Sequence, residues 1–265
     1  MDAALKLGSA AEKTAALSAL LKTHVGSRSR EGVAALAALL GDEGKCPAPV
    51  IADVFRTLAD LLEALPPGED AFKDYCCVTV IDILRGRQLT VLDDVEVWLR
   101  STQFDIRCLR GQPQEAASLL SGARIESAAL SPSVKAYMWV RVVEAFMLSG
   151  SDALAENFMK KATDLHKHME KTVHVQYTLA MAKLHDNKRN FLQAAIKFED
   201  VSRRGKGQGY TDDDLSGFLA CAVRCILLEK VGPARLRIMS ALTRDVRISF
   251  IQVSPPPPFL LPPSS

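Results

Sequence analysis

Ala116, Ala155, Ala194 and Ala234 recur at intervals of 39, 39 and 40 residues, each soon after a short break rich in Gly, Asn or Ser. A constant interval of this length marks a chain built by stacking copies of one supersecondary unit. Four residues beyond each alanine stands a large apolar residue, Leu120, Met159, Phe198 and Ile238. Seven beyond stands a smaller one, Ala123, Ala162, Val201 and Ala241. Steps of four and seven fall on one face of a helix. The small side chains let a neighbouring helix approach closely, and the large ones fill the space beside them. The expected fold is therefore all-α: an α-solenoid of tetratricopeptide-like helical hairpins wound as a right-handed superhelical arm.

Turn signals divide the chain at the places this period requires. An amphipathic segment from Asp2 to His24 breaks at Gly26-Ser27, and a second helix covers Ser29 to Leu40 before the break at Gly41 to Gly44. Pro47 and Pro49 suit a first helical turn, where proline sacrifices no hydrogen bond, and Pro66-Pro67-Gly68 stops that helix. Asp70 to Leu84 follows. Thr90 is an expected N-cap for a helix running to Arg110, with Asp93 and Asp94 in its first turn at the positive end of the helix dipole. The remaining helices are expected from Pro113, at Ser133 to Leu148, Asp152 to His168, Thr172 to His185, Phe191 to Arg203, Leu215 to Lys230 and Ala234 to Arg244. Thr211, followed by three aspartates, caps the penultimate one. Three regions result: N-terminal helical repeats over 1–88, tetratricopeptide-like repeats over 89–247, and a proline-rich tail, 248–265, in which Pro255 to Pro258 exclude helix and predict disorder.

Composition narrows the function. Hydrophobic residues make up 48% of the 265, ample for a core, while aromatic residues make up only 6%, which favours helix over sheet. A net charge of +2, from 33 basic and 31 acidic residues, supplies no field to draw the protein onto nucleic acid or an anionic membrane. The longest apolar stretches, such as Val223 to Leu228 with Arg224 inside it, fall short of a bilayer span. The N-terminus carries Asp2 and Glu12 and lacks the pattern of a secretion signal. The six cysteines, Cys46, Cys76, Cys77, Cys108, Cys221 and Cys225, show no ladder of paired spacings, so reduced core thiols are expected, in cytoplasm or nucleus.

The motifs that could carry chemistry are better explained as structure. His166, His168, His174 and His185 lie within one hairpin, but His166 and His168 are two apart on the expected helix and point away from each other. Cys221 and Cys225 share a helical face without a second pair to complete a zinc site. The segment RRGKGQGY, Arg203 to Tyr210, has the glycines and lysine of a phosphate loop but follows a helix and lacks the Lys-Ser/Thr pair, which makes it an inter-repeat loop. No nucleophile elbow is present, and Asp93-Asp94 and Asp212 to Asp214 read as helix-start acids. No catalytic residue, cofactor or metal is assigned, and the chain is read as a non-enzyme. The residues singled out are the repeat positions Ala116, Leu120, Ala155, Met159, Ala194, Phe198, Ala234 and Ile238.

The order and wording of the repeats resemble one family. The run LDDVEVWLRSTQFDI is similar to its helix of paired acids leading into an arginine-containing stretch, and EAASLLSGARIESA to its Ala-Ala-x-x-Leu helix. SDALAENFMKKATDL, Ser151 to Leu165, matches its alanine-glutamate hairpin, and NKRNFLQAAIKFEDVS, Asn187 to Ser202, its helix with two alanines. LACAVRCILLEKVGPARLRIMSALTRDVR places Cys225, Arg235, Met239, Asp245 and Arg247 at the family's matching positions. These segments resemble the fourth subunit of the constitutive photomorphogenesis signalosome, one of the PCI-domain proteins. The resemblance implies a non-catalytic scaffold that contacts other signalosome subunits and cullin-RING ligase components, and so supports removal of a ubiquitin-like modifier from cullins by a separate zinc-dependent subunit. A lid subunit of the proteasome regulatory particle shares much of the pattern, and a generic helical-repeat adaptor is the broader alternative. The family continues into a winged-helix module where this chain has its proline-rich segment, so a form truncated before that module is expected.

Overall fold

A computed structural model describes residues 9–42, 45–87 and 90–250. Twelve α-helices lie among them and no strand, as the alanine-rich periodicity predicts; an isolated bridge joins Lys206 and Tyr210. The helices are α1 Ala10–Gly26, α2 Arg30–Gly41, α3 Ala48–Glu63, α4 Asp70–Arg87, α5 Asp93–Leu109, α6 Pro113–Ser121, α7 Pro132–Leu148, α8 Asp152–Asp164, α9 Lys171–Asn187, α10 Phe191–Arg204, α11 Asp212–Leu228 and α12 Pro233–Leu242. The expected residues 1–8 of the first helix and residues 251–265 of the proline-rich tail lie outside the described residues, as do Glu43 and Gly44 of the second break.

Helix starts follow local chemistry. The Ser9 and Thr211 hydroxyls each accept from the backbone N–H three residues on, and Glu12 and Asp214 return the bond to the cap. Pro49, Pro113 and Pro233 sit in first turns. Two starts and stops differ from expectation. A 3₁₀ turn, Thr90–Leu92, precedes α5, so the helix begins at Asp93 rather than beside Thr90. The helix expected to reach His168 ends at Asp164, and His166–His168 form a separate 3₁₀ turn.

The described helices divide at Ser131/Pro132 into two compact units. In the first, α1 packs on α2 and α3, α2 on α4, and α5 on α3, α4 and α6. Its core runs through Leu17, Leu21, Leu36, Leu40, Phe55 and Leu58, all nearly or fully buried. In the second, α7 pairs with α8, α9 with α10, and α10 with α11, while α7 also packs on α9. Phe158 of α8 stacks between Trp139 and Phe146 of α7, each with centroids 5.5 Å away. No helix of the described residues is long and apolar enough to cross a membrane.

Candidate functional site

The repeat positions are built by a turn that recurs with them. Gly111, Gly150 and Arg189 lie at intervals of 39 residues, each five before a repeat alanine, and all adopt left-handed backbone, with φ of 72°, 74° and 57°. Each closes its helix in the same way. Gln112, Ser151 and Asn190 donate backbone N–H groups to the carbonyls of Arg107, Phe146 and His185, at 2.9, 2.8 and 2.8 Å, while the left-handed residue bonds the carbonyl three before it. This double closure satisfies carbonyls that the helix end leaves open. Arg28 repeats it between α1 and α2, with Ser29 N–H on the His24 carbonyl at 2.9 Å.

From that turn the next helix starts in a fixed phase. Ala116, Ala155 and Ala194 are each the fourth helical residue after the caps Gln112, Ser151 and Asn190, and all three are fully buried. Leu120, Met159 and Phe198, one turn on, are buried with them, as are Ala123, Ala162 and Val201. Ala194 and Phe198 enter a core shared with Val175 and Leu179 of α9 and Leu219 and Ala222 of α11.

The fourth turn breaks the pattern. Glu229 follows α11 in extended conformation and the chain reaches Gly232 before Pro233 restarts the helix. Ala234 is thereby the second helical residue instead of the fourth, which turns it about 200° around the axis at 100° per residue. It is exposed, Ile238 is half-buried and Ala241 is exposed. The buried anchor of α12 is Leu242. Sequence spacing alone placed Ala234 with the other three because 40 residues differ from 39 by one, whereas the start of the helix has shifted by two.

Polar ties join residues one repeat apart. Lys183 of α9 donates to Glu144 of α7 at 3.0 Å, Asn187 to Asp152 at 3.0 Å and Lys188 to Glu156 at 2.8 Å. The Cys225 thiol faces the Asp186 carboxylate at 3.6 Å. Glu229, at the end of α11, accepts the Leu192 backbone N–H at 2.8 Å and so caps the first turn of α10. In the first unit Asp74 gathers Gln103, Arg107 and Arg110. The nearly buried Asp93 accepts from Ser127 and Arg124, which identifies it as an inward-facing tie of the segment after α6 as well as a helix-start acid.

The chemistry of nucleophiles is muted. All six cysteines are free, and burial holds the Cys76 and Cys225 thiols up at about 12, aided at Cys225 by Asp186. These thiols are protonated at neutral pH. Of the histidines, His166 meets His174, not His168: their Nε2 atoms are 3.0 Å apart. Helical spacing missed this contact because the 3₁₀ turn carries His166 back over α9. The RRGKGQGY loop connects α10 to α11, and Tyr210 anchors it by packing edge-on against Phe218 at 5.4 Å.

No family model matches the chain. Five curated proteins do, each a COP9 signalosome complex subunit 4, at 21–30% identity. The Emericella nidulans protein is 26% identical over 175 residues, 65% of this chain and 42% of the relative. The Arabidopsis thaliana protein is 30% identical over 148 residues, 53% of this chain and 37% of the relative. The Dictyostelium discoideum protein is 28% identical over 137 residues, 51% of this chain and 34% of the relative. In these three the match spans between about a third and two-fifths of the relative's length.

Proposed function

We propose that this chain, a relative of subunit 4 of the COP9 signalosome, is a non-catalytic scaffold subunit of such a particle. It supports cullin deneddylation, and with it the regulation of cullin-RING ubiquitin ligases, by holding proteins together. The observation that carries the reading is the similarity to five subunit 4 proteins in a chain whose helices pack in successive pairs. The physical setting supports it. Stacked helical hairpins present broad side-chain surface, and the free thiols with raised pKa and the inward-facing Asp93 offer no activated nucleophile or general base.

In this reading residues 89–247 lead toward a PCI module, and the partners are other signalosome subunits and cullin-RING ligase components in cytoplasm and nucleus. Affinity purification of the tagged chain, followed by mass spectrometry, tests it. Stoichiometric signalosome subunits with cullins are the expected result. Recovery of proteasome lid components instead would assign the chain to the regulatory-particle paralogue, and a clean purification with neither set would reject the scaffold reading.

A further inference from the structure

The connection between α8 and α9 gathers three aromatic side chains. His166 on the 3₁₀ turn and His174 in the first turn of α9 direct Nε2 at Nε2 across 3.0 Å, with ring centroids 4.9 Å apart. The buried Tyr177 tilts its ring against both, at 5.7 and 6.3 Å, and its hydroxyl is tied to Thr163 Oγ1 at 3.0 Å. The backbone fixes each histidine separately. His168 N–H bonds the Leu165 carbonyl at 2.9 Å, and His174 N–H bonds the Glu170 carbonyl at 2.8 Å. Two ring nitrogens therefore converge on one point from two anchored segments.

A neutral imidazole offers one N–H and one lone pair, so the contact places a single proton between two nitrogens. The same geometry suits a metal ion. Zinc–nitrogen bonds of about 2.0–2.1 Å at a tetrahedral angle set two ligand nitrogens about 3.3 Å apart, within a few tenths of an ångström of the spacing here. Burial, His166, and Arg204 and Lys197 of α10 keep His174 below the usual histidine range, against the pull of Asp200. Its lone pair is thus free of proton competition near neutrality. His166 is exposed and leaves one side open to solvent. Among the described residues no third histidine, cysteine or carboxylate joins the pair, so water completes the coordination shell. Lys197 and Arg204 also repel a dication, which sets this site apart from a tightly held structural metal.

We propose that His166 and His174 form a solvent-open two-histidine site for a borderline divalent transition ion of the zinc, nickel or copper class. On binding, two metal–nitrogen bonds form and two metal-bound waters leave. The proton of the donor Nε2 passes through solvent to Nδ1 of the same ring, so two neutral imidazoles bind the ion with no net proton release. A ring that starts protonated gives one proton to the solvent.

Calorimetric titration of the full chain with zinc chloride at pH 7.5, paired with ¹⁵N spectra of the imidazoles, tests the site. One binding event that shifts the Nε2 signals of His166 and His174 together is expected. His166→Gln and His174→Gln should each weaken it by about tenfold or more, while His168→Gln and His185→Gln bind as the parent does. At pH 6 the affinity should fall and proton release should appear. Undiminished binding by His166→Gln, equal weakening by His168→Gln, or equal binding of magnesium would overturn the proposal. If His174→Gln loses helicity by circular dichroism, the exposed His166→Gln variant alone decides.

Discussion

Ala194 shows how much a single small side chain carries. It is fully buried among apolar residues of α9, α10 and α11, and an arginine in its place would bury an unpaired charge. Such a group costs about 3–5 kcal/mol, so Ala194→Arg, and Ala155→Arg for the same reason, should unfold the second unit or lower its melting temperature sharply. Full helicity by circular dichroism with an unchanged melting point would contradict this. Ala234→Arg is the contrast: the residue is exposed, and a change within about 0.5 kcal/mol is expected. Sequence spacing cannot separate these substitutions, because it records distance along the chain and not the phase at which a helix starts. That phase is set by the left-handed turn. At Gly150 a Cβ would meet nothing within 4 Å, so Gly150→Ala isolates the backbone strain of φ 74°, about 1 kcal/mol. A chemical-denaturation midpoint equal to the parent's would refute that role.

Helix α9 concentrates the pH dependence of the second unit. His174 is lowered by burial, by His166 and by Arg204 and Lys197, opposed by Asp200. His185 is lowered by burial and by Lys197 and Lys188, opposed by Glu156. A histidine whose folded pKa lies below its unfolded value of about 6.5 takes up its proton more readily in the unfolded chain. The stability is therefore whole above about pH 6.5 and is lost as pH falls through the depressed folded values. Melting temperatures measured from pH 7.5 down to 5 should decline, and a variant carrying both His174→Gln and His185→Gln should show a shallower decline. An equal slope in both proteins would remove these groups as the cause. The carboxylate of Asp245, lowered by Arg247, acts only further down, as pH falls below the ordinary aspartate range. Helix α9 itself was legible from Thr172 to His185, since its apolar period and flanking turns agree. The contact of His166 with His174 was not, because it depends on α8 ending at Asp164 and on the 3₁₀ turn that follows. A final turn switching from α to 3₁₀ leaves little trace in side-chain periodicity.

At the scale of the whole molecule the repeat pattern, the helix count and the turn positions follow from apolar spacing and capping residues, whereas the distribution of buried surface does not. Leu227, Leu228, Val231, Leu236 and Val246 are 51%, 64%, 85%, 62% and 80% exposed, and together they form the densest run of exposed large apolar residues among those described. In the sequence they read like any other apolar positions of a hairpin. Their exposure arises at the fourth turn, where the left-handed closure is missing and the burial of α12 rests on Leu242, with Ile238 and Met239 partly covered. A Leu or Val side chain gains about 1.5–3 kcal/mol when fully buried, so this surface favours contact with any apolar probe or with other molecules in solution. A Leu228→Lys, Val231→Lys, Leu236→Lys variant should keep its helicity, since none of the three is buried. It should also lose much of the parent's binding of a hydrophobic fluorescent dye and elute as a less associated species as concentration rises. Dye binding and elution equal to the parent's, in a variant that remains folded, would place the adhesive surface elsewhere on the molecule.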